Sequence, residues 1–479
     1  MMTTTLIPQK HETLVMKFGG TSIGTVQVMQ QTVSIVAAEK KTWPNLVVIT
    51  SALSGVTDTL LSMAGEAARG QADSLDATAA ALAIRHAEIS SALVPDPASH
   101  KQVDTEIKKI LEETVNLCRA VSVLGELTPR VLDAIASAGE RMCVIVLAAA
   151  LQANGLDAEV VQATRLICTD DHYTDAHPDL KRSGEMTCDV LKPMLSAGKV
   201  PVITGFIATT RDGHISTLGR GGSDYSAALI GAALPADDVW IFTDVNGVMT
   251  ADPRLVPDAA TVPACSYREI AELAYYGAKV LHPKTIRPVI EAGIGLRVCN
   301  TFNPSHAGTR LFSELEAHPG VIKAITTIRG LQLVTLEGRG MLGVPGVAAR
   351  TFDAVAKLGT SVPLITQASS EQSICFAVPT ASVKPVMEKL TAAFAAEIES
   401  RDIDRVWATD EVGIVTVVGE GMRSTPGVSG RIFSALGAEK VNVVAIAQGS
   451  SEVSVSLVVT AAQVQQALQV LHRLIRQPA

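Results

Sequence analysis

Apolar positions gather in short runs at 13–18, 45–50, 199–204 and 238–243, and each run predicts a β-strand. Helical periodicity fills the intervals. Strands alternating with helices favour one mostly parallel sheet covered by helices on both faces. From 57 to 131 the chain is Ala-rich, carries charged pairs such as Glu112-Glu113 and has no strand pattern, so a helical insertion is expected there. The longest uncharged apolar run, 142–151, is about half of the ~20 residues a membrane-spanning helix requires, and predicts a buried helix.

Beyond the turn cluster Asn303-Pro304-Ser305-His306-Ala307-Gly308, the pattern repeats itself. Gly338-Arg339-Gly340-Met341 recurs as Gly419-Glu420-Gly421-Met422, and Pro345-Gly346-Val347 recurs as Pro426-Gly427-Val428. Ile365-x-Gln367-x-Ser369-Ser370-Glu371 recurs as Ile446-x-Gln448-x-Ser450-Ser451-Glu452 at the same offset, 81 residues, from 345 to 426 and from 365 to 446. Strand patterns at 331–336, 361–366 and 373–378 in the first copy, and at 413–418, 441–447 and 453–459 in the second, alternate with helical ones. That is β-α-β-β-α, and one more strand would complete a ferredoxin-like layer of two helices on a sheet.

At roughly 150 residues per domain, a chain of 479 residues suggests about three domains. The repeat resolves these into a large domain at 1–303 and small ones at 321–400 and 401–479, the last with a possible strand from about 321–330. A net charge of −8 lacks the basic footprint that phosphate neutralisation requires, and 4% aromatics leave few stacking platforms, so a nucleic-acid partner is not expected. The opening Met1-Met2-Thr3-Thr4-Thr5-Leu6 has no basic segment before an apolar one; neither export nor membrane attachment is expected, and the cytoplasm is the expected compartment. The 7 cysteines include no C-x-x-C pair and no His at ligand spacing, which argues against disulfides and zinc.

Candidate chemistry sits where strands end. The first strand runs into Lys17-Phe18-Gly19-Gly20-Thr21-Ser22, where close backbone donors, a helix start and a lysine suit phosphate. Leu218-Gly219-Arg220-Gly221-Gly222-Ser223-Asp224-Tyr225 precedes an Ala-rich helix from Ser226 and exposes an arginine between glycines, with Ser223 or Asp224 as a possible cap. The strand at 238–243 leads to Thr243-Asp244-Val245-Asn246-Gly247-Val248-Met249 and Asp252-Pro253-Arg254, and later Gly277-Ala278-Lys279-Val280-Leu281-His282-Pro283. Lys17, Arg220, Arg254 and Lys279 in an acidic chain suggest phosphoryl transfer, while the P-loop and protein-kinase signatures are missing.

These strings, with Ser137-Ala138-Gly139-Glu140-Arg141, closely resemble those of the aspartokinases in the amino acid kinase family, and the repeats resemble paired ACT domains. The resemblance implies a three-layer α/β/α kinase domain with a mostly parallel sheet, followed by two ferredoxin-like βαββαβ ACT domains. It also implies transfer of the ATP γ-phosphoryl to the β-carboxylate of L-aspartate, a first step toward Lys, Thr, Met and Ile. By the same resemblance Lys17, Arg220 and Asp224 are catalytic, and Thr57, Glu140, Arg220 and Ser223 bind aspartate. Lys17, Gly19, Gly20, Thr21, Thr243, Asp244, Met249, Arg254, Lys279 and Val280 hold the nucleotide, with Met249 standing where many relatives have Tyr. Mg²⁺ is expected on the ATP phosphates, with no protein ligand assigned.

Gly343, Ala348, Gln367, Asn442 and Gln448 are the implied effector positions. No acid precedes Leu364-Ile365 or the matching strand of the second copy, which favours threonine over lysine as effector. The repeats also imply a homodimer or larger homo-oligomer. Their strings resemble those of threonine-sensitive bifunctional enzymes, and with the chain ending at Ala479 no dehydrogenase is expected.

Overall fold

The computed structural model describes residues 12–277, 281, 283–312, 321–368, 371–449 and 453–476. They form two compact units, and the chain passes between them more than once. Residues 12–248, 263–267 and the described part of 281–312 make the first. Residues 249–262, 268–277 and those from 321 onward make the second. The expected 1–303 domain is therefore interrupted, since two of its stretches group with the C-terminal residues.

The first unit is built on strands β1 (Thr13–Phe18), β2 (Asn45–Thr50), β3 (Ala158–Val161), β5 (Val200–Thr204), β8 (Asp238–Thr243), β9 (Ala264–Ser266), β10 (Gly295–Asn300) and β11 (Thr309–Phe312), in the order β3-β5-β2-β1-β8-β10-β11-β9. Pairing is parallel from β3 to β10, β11 runs antiparallel to β10, and β9 is parallel to β11. A small sheet of β4 (Cys168–Thr169), β6 (Ile207–Thr210) and β7 (Ile215–Thr217) stands apart from it.

Every residue of β1 is buried, as expected of a central strand covered on both faces. Leu14, Met16 and Phe18 join one core with α1 (Val26–Glu39), α2 (Val56–Ala68), α3 (Leu75–Leu93), α4 (Pro97–Leu124) and α5 (Pro129–Ala153). The period-2 alternation turns Val15 and Lys17 to the other face, where α7 (Gly222–Ala233) packs on β1 and α6 (Leu180–Ser196) on β5. Helix α9 (Pro283–Ala292) packs beside α7.

The strand-free stretch is helices α2 to α4, and both α4 and the α5 that follows start on readable signals. Asp96 caps α4 through the Ser99 amide ahead of Pro97, and Thr128 caps α5 through Val131 ahead of Pro129. By length and composition α5 could cross a membrane, yet 78% of its most apolar window is buried inside the fold. It is a core helix, longer than the 142–151 run that announced it.

In the second unit, strand β12 (Ala324–Glu337) serves two layers. Its first part pairs with β16 (Val412–Val418), its second with β14 (Ser373–Pro379) and β15 (Arg405–Ala408). Strand β13 (Leu364–Gln367) flanks β14, and β17 (Ala445–Ala447) flanks β18 (Ser454–Thr460), which pairs with β16. Helices α10 (Val347–Ala356), α11 (Val383–Ala393) and the short α12 (Ala395–Glu399) belong to the first repeat; α13 (Val428–Ala438) and α14 (Val464–Arg473) belong to the second. The first layer thus runs β-α-β-β-α-β through β15, while the second is β-α-β-β-α and takes its fourth strand from the leading part of β12.

The upstream segments are built into this unit. Ala251 and Val256 are buried with Ile325, Val415, Leu436 and Leu468. In α8 (Tyr267–Tyr275), buried Glu269 pairs with Lys323 at 2.8 Å.

Strand β12 changes layers at an irregularity between Ile328 and Leu331, where Gly330 has φ +72° with nothing within 4 Å of an added Cβ. Gly330→Ala therefore meets only the left-handed backbone penalty, about 1–2 kcal/mol. Denaturant unfolding is expected to show that loss, and an unchanged midpoint would contradict it.

Candidate active site

In open α/β sheets ligands bind beyond the carboxyl ends of the strands, where the strand order reverses. Here β1 connects to β2 on one side while β8 connects to β10 on the other, so the crevice opens after Lys17-Phe18 and Phe242-Thr243. The turn after β1 is pinned. Gly19 N–H donates to Phe242 O, Thr301 Oγ1 to Ser22 Oγ at 2.6 Å, and Thr32 Oγ1 to Ser22 O at 2.6 Å. Gly20 must be glycine because a Cβ there would lie 2.9 Å from Ala52 O. That contact brings the loop before α2, with Thr57 in its first turn, against the β1 turn.

Helix α7 begins at Gly222 with Gly221 as its cap, earlier than the expected start at Ser226. Ser223 and Asp224 therefore lie in the first turn and neither caps it; their side chains are engaged elsewhere. Lys17 Nζ stands 2.5 Å from Asp224 Oδ1, an ion-pair contact lacking hydrogen-bond alignment. Ser223 Oγ donates to Glu140 Oε1 at 2.7 Å. Arg220, next to this cluster in sequence, is exposed and pairs with no carboxylate among the described residues.

Glu140 is 4% exposed and its Oε2 has no hydrogen-bond partner. Burial pushes its pKa up to about 8, against the opposing pull of the Ser223 hydroxyl and the Lys17 ammonium. A buried oxygen without a donor marks a place where an incoming cationic donor would be stabilised. The ends of β1 and β8 and the N-termini of α2 and α7 add backbone donors suited to anions. The crevice is thus arranged to hold a zwitterion against a polyanion.

Of the expected nucleotide positions, Lys17, Gly19, Gly20, Thr21, Thr243 and Asp244 belong to this unit; the Thr243 hydroxyl donates to Asp244 at 3.1 Å. Met249 and Arg254 lie in the second unit. There Thr261 Oγ1 donates to Met249 Sδ, and Asp252 holds the Arg254 guanidinium in two contacts, at 3.0 and 2.6 Å. Lys279 and Val280 lie outside the described residues. No group of three or more His, Cys, Asp or Glu side chains that could hold a metal ion is gathered among the described residues.

In the second unit, Gly343, Ala348 and Gln367 line a cavity of about 380 Å³ at the N-terminus of α10. Asn442 and Gln448 are exposed in the second repeat and do not line it. The cavity includes a residue the effector reading passed over. Glu371, with φ +55°, accepts the Gly343 amide at 3.2 Å. In the sequence, only the repeated Ser-Ser-Glu string marks it.

A family model described as the amino acid kinase family matches residues 12–300, and an ACT-domain model matches 334–394 and 415–474. The chain belongs to the amino acid kinase family. This amino acid kinase is 34% identical to bifunctional aspartokinase/homoserine dehydrogenase 1 of Arabidopsis thaliana, over 97% of its own length and 51% of the relative's. It is 31% identical to lysine-sensitive aspartokinase 3 of Escherichia coli, over 96% and 98% of the two chains. The crystal structure of E. coli aspartokinase III with aspartate and ADP superposes with a TM-score of 0.79 at 29% identity, covering 97% and 100%. The chain spans about half the length of the bifunctional relatives. Amino acid kinase fold, mostly parallel sheet and ACT repeats all agree with the sequence reading.

Glu140 makes the kinase pH-sensitive in a defined direction. Its folded-state pKa lies above the ordinary 4.5, so it contributes stability fully present below about 4.5 that is lost as pH rises through about 8. Glu140→Gln has no proton to lose. Between about pH 5 and about pH 9 the variant is expected to lose less unfolding free energy than the parent; parallel declines in denaturant titrations would show that Glu140 is not the source.

Proposed function

We propose that this chain is an ATP-dependent aspartate kinase, forming an acyl phosphate on the β-carboxylate of L-aspartate. The observation that carries the proposal is the unpartnered, buried Glu140 Oε2 in the same cluster as Lys17 and Asp224, with Arg220 free in the adjoining loop. The nucleophile has a reference pKa near ~4 and is already ionised at neutral pH, so no general base is needed. The barrier is electrostatic, because an anionic carboxylate must approach an anionic triphosphate.

Lys17 neutralises the transferred phosphoryl group, and the turn at Gly19, Gly20 and Thr21 receives phosphate oxygens. Arg220 grips the α-carboxylate as a two-pronged donor. Glu140 takes the ammonium, Ser223 orients Glu140, and Thr57 and Asp224 complete the cradle. An arriving ammonium favours the ionised form of Glu140 and so opposes the effect of burial. Within the first unit, Thr243 and Asp244 at the end of β8 are proposed to meet the nucleotide. With no group of three or more ligating side chains among the described residues, an Mg²⁺ ion would be held mainly by the ATP phosphates and water, and would supply charge neutralisation.

Purified protein is expected to form aspartyl hydroxamate from ATP, aspartate and hydroxylamine, with Lys17→Ala as the blank. Hydrogen bonds to charged groups contribute about 1.5–3 kcal/mol, so Arg220→Ala should raise the aspartate KM by ~10–100-fold. Product with glutamate but not aspartate, or none above the blank, would overturn the assignment.

The cavity at α10 is proposed to bind a regulatory amino acid, with threonine favoured. Gly343 and Gly346 open the helix toward a carboxylate, and Gln367 and Glu371 offer an amide and an acid. Association into a homodimer or larger homo-oligomer through the repeats is proposed as well, supported by exposed Ile365 and Ile446 on the edge strands β13 and β17. A ligand at ~100-fold excess over Kd raises stability by about 2.7 kcal/mol. Threonine, but not lysine or methionine, is expected to raise the melting temperature, and Gln367→Ala to abolish the shift; a shift with lysine alone would reverse the preference.

A further inference from the structure

Helix α5 carries a second buried carboxylate that the proposed chemistry does not use. Asp133 is 2% exposed and stands two turns before Glu140, with Ser137 between them, so all three lie along one face about 10 Å long. Its Oδ2 accepts the amides of Thr174 at 2.9 Å and Thr217 at 3.0 Å, and its Oδ1 accepts the Thr217 hydroxyl at 2.7 Å. Burial raises its pKa, and these donors oppose the rise. The Thr217 carbonyl is taken in turn by the Ala176 amide at 2.9 Å, so Asp133 also holds the turn at Thr174, where φ is +73°.

Thr217 is the last residue of β7 and opens the loop to α7; Ser223, bound to Glu140, stands in the first turn of that helix. Arg220 lies midway between these anchors and has none of its own among the described residues. We propose that Asp133 is a positioning residue for aspartate: together with Glu140 it straps the 217–223 loop along α5 at both ends, and so sets where the Arg220 guanidinium meets the substrate α-carboxylate. This rests on the aspartate kinase reading.

A residue that only supports the fold would change all kinetic constants together; a strap on the Arg220 loop acts on one substrate. Asp133→Asn keeps the shape but removes the charge, so the amides of Thr174 and Thr217 lose a charged acceptor, and Thr217→Val, of nearly equal shape, removes only the hydroxyl. Both are expected to raise the aspartate KM by ~10-fold or more while the ATP KM stays within about two-fold. Amide exchange should accelerate across 217–223 in Asp133→Asn. Equal shifts in both KM values, or an unchanged aspartate KM with unchanged exchange, would overturn the proposal. If the parent enzyme phosphorylates no aspartate, the functional reading fails, and the exchange measurement alone still decides whether Asp133 holds the loop.

Discussion

A lysine ammonium and two carboxylates crowded into a poorly hydrated crevice set the conditions for the rest of the first unit. Lys17 is 8% exposed and Glu140 4%. Charges at that depth are stable only when paired or hydrogen-bonded; Lys17 is paired with Asp224, while burial favours the neutral form of Glu140, whose Oε1 alone is hydrogen-bonded, to Ser223. The unsatisfied remainder, Glu140 Oε2, stores an electrostatic need that a ligand can meet. A helix as apolar as α5 is what makes the need large, because it keeps water from one side of Glu140. The composition that gives α5 the look of a membrane span is thus tied to the chemistry proposed beside it.

The second unit answers a different constraint, namely that a ferredoxin-like layer needs a fourth strand and each repeat supplies only three in order. The first repeat draws on β15, and the second on the leading part of β12, which already belongs to the first. The layers therefore cannot be parted without breaking one strand. Residues 249–262 and 268–277 deepen the linkage, since Val256 lies in the same core as α13 and α14, and Glu269 is paired inside it. Two stretches between β8 and α9, 249–262 and 268–277, thus belong to the second unit.

Much of this was legible from periodicity alone. Buried parallel strands such as β1 and β2 read as continuous apolar runs, and the 81-residue register exposed both repeats. The placement of 249–262 was not legible, because Ala251 and Val256 form too short an apolar pattern to reveal which core they enter. Within the site, Lys17, Ser223, Asp224 and Glu140 could be named from their motifs, but their pairing could not. It depends on α7 starting at Gly222, which a Gly-Gly-Ser-Asp string leaves open. Asp133 escaped notice because a lone acid on a helix reads as solvated unless its burial is known.

Glu371 shows how a correct local observation can be incomplete. Any α-amino acid brings an ammonium that needs an acceptor, whatever its side chain, and the absence of an acid ahead of Leu364 speaks only to a second ammonium. Glu371 reaches the cavity from just ahead of β14 and is held to the Gly343 amide, one of the donors an effector carboxylate would seek. A bound amino acid would free Glu371 from that amide and present it with an ammonium in exchange. In the proposed effector site one acid would serve a neutral amino acid, whereas lysine would call for a second.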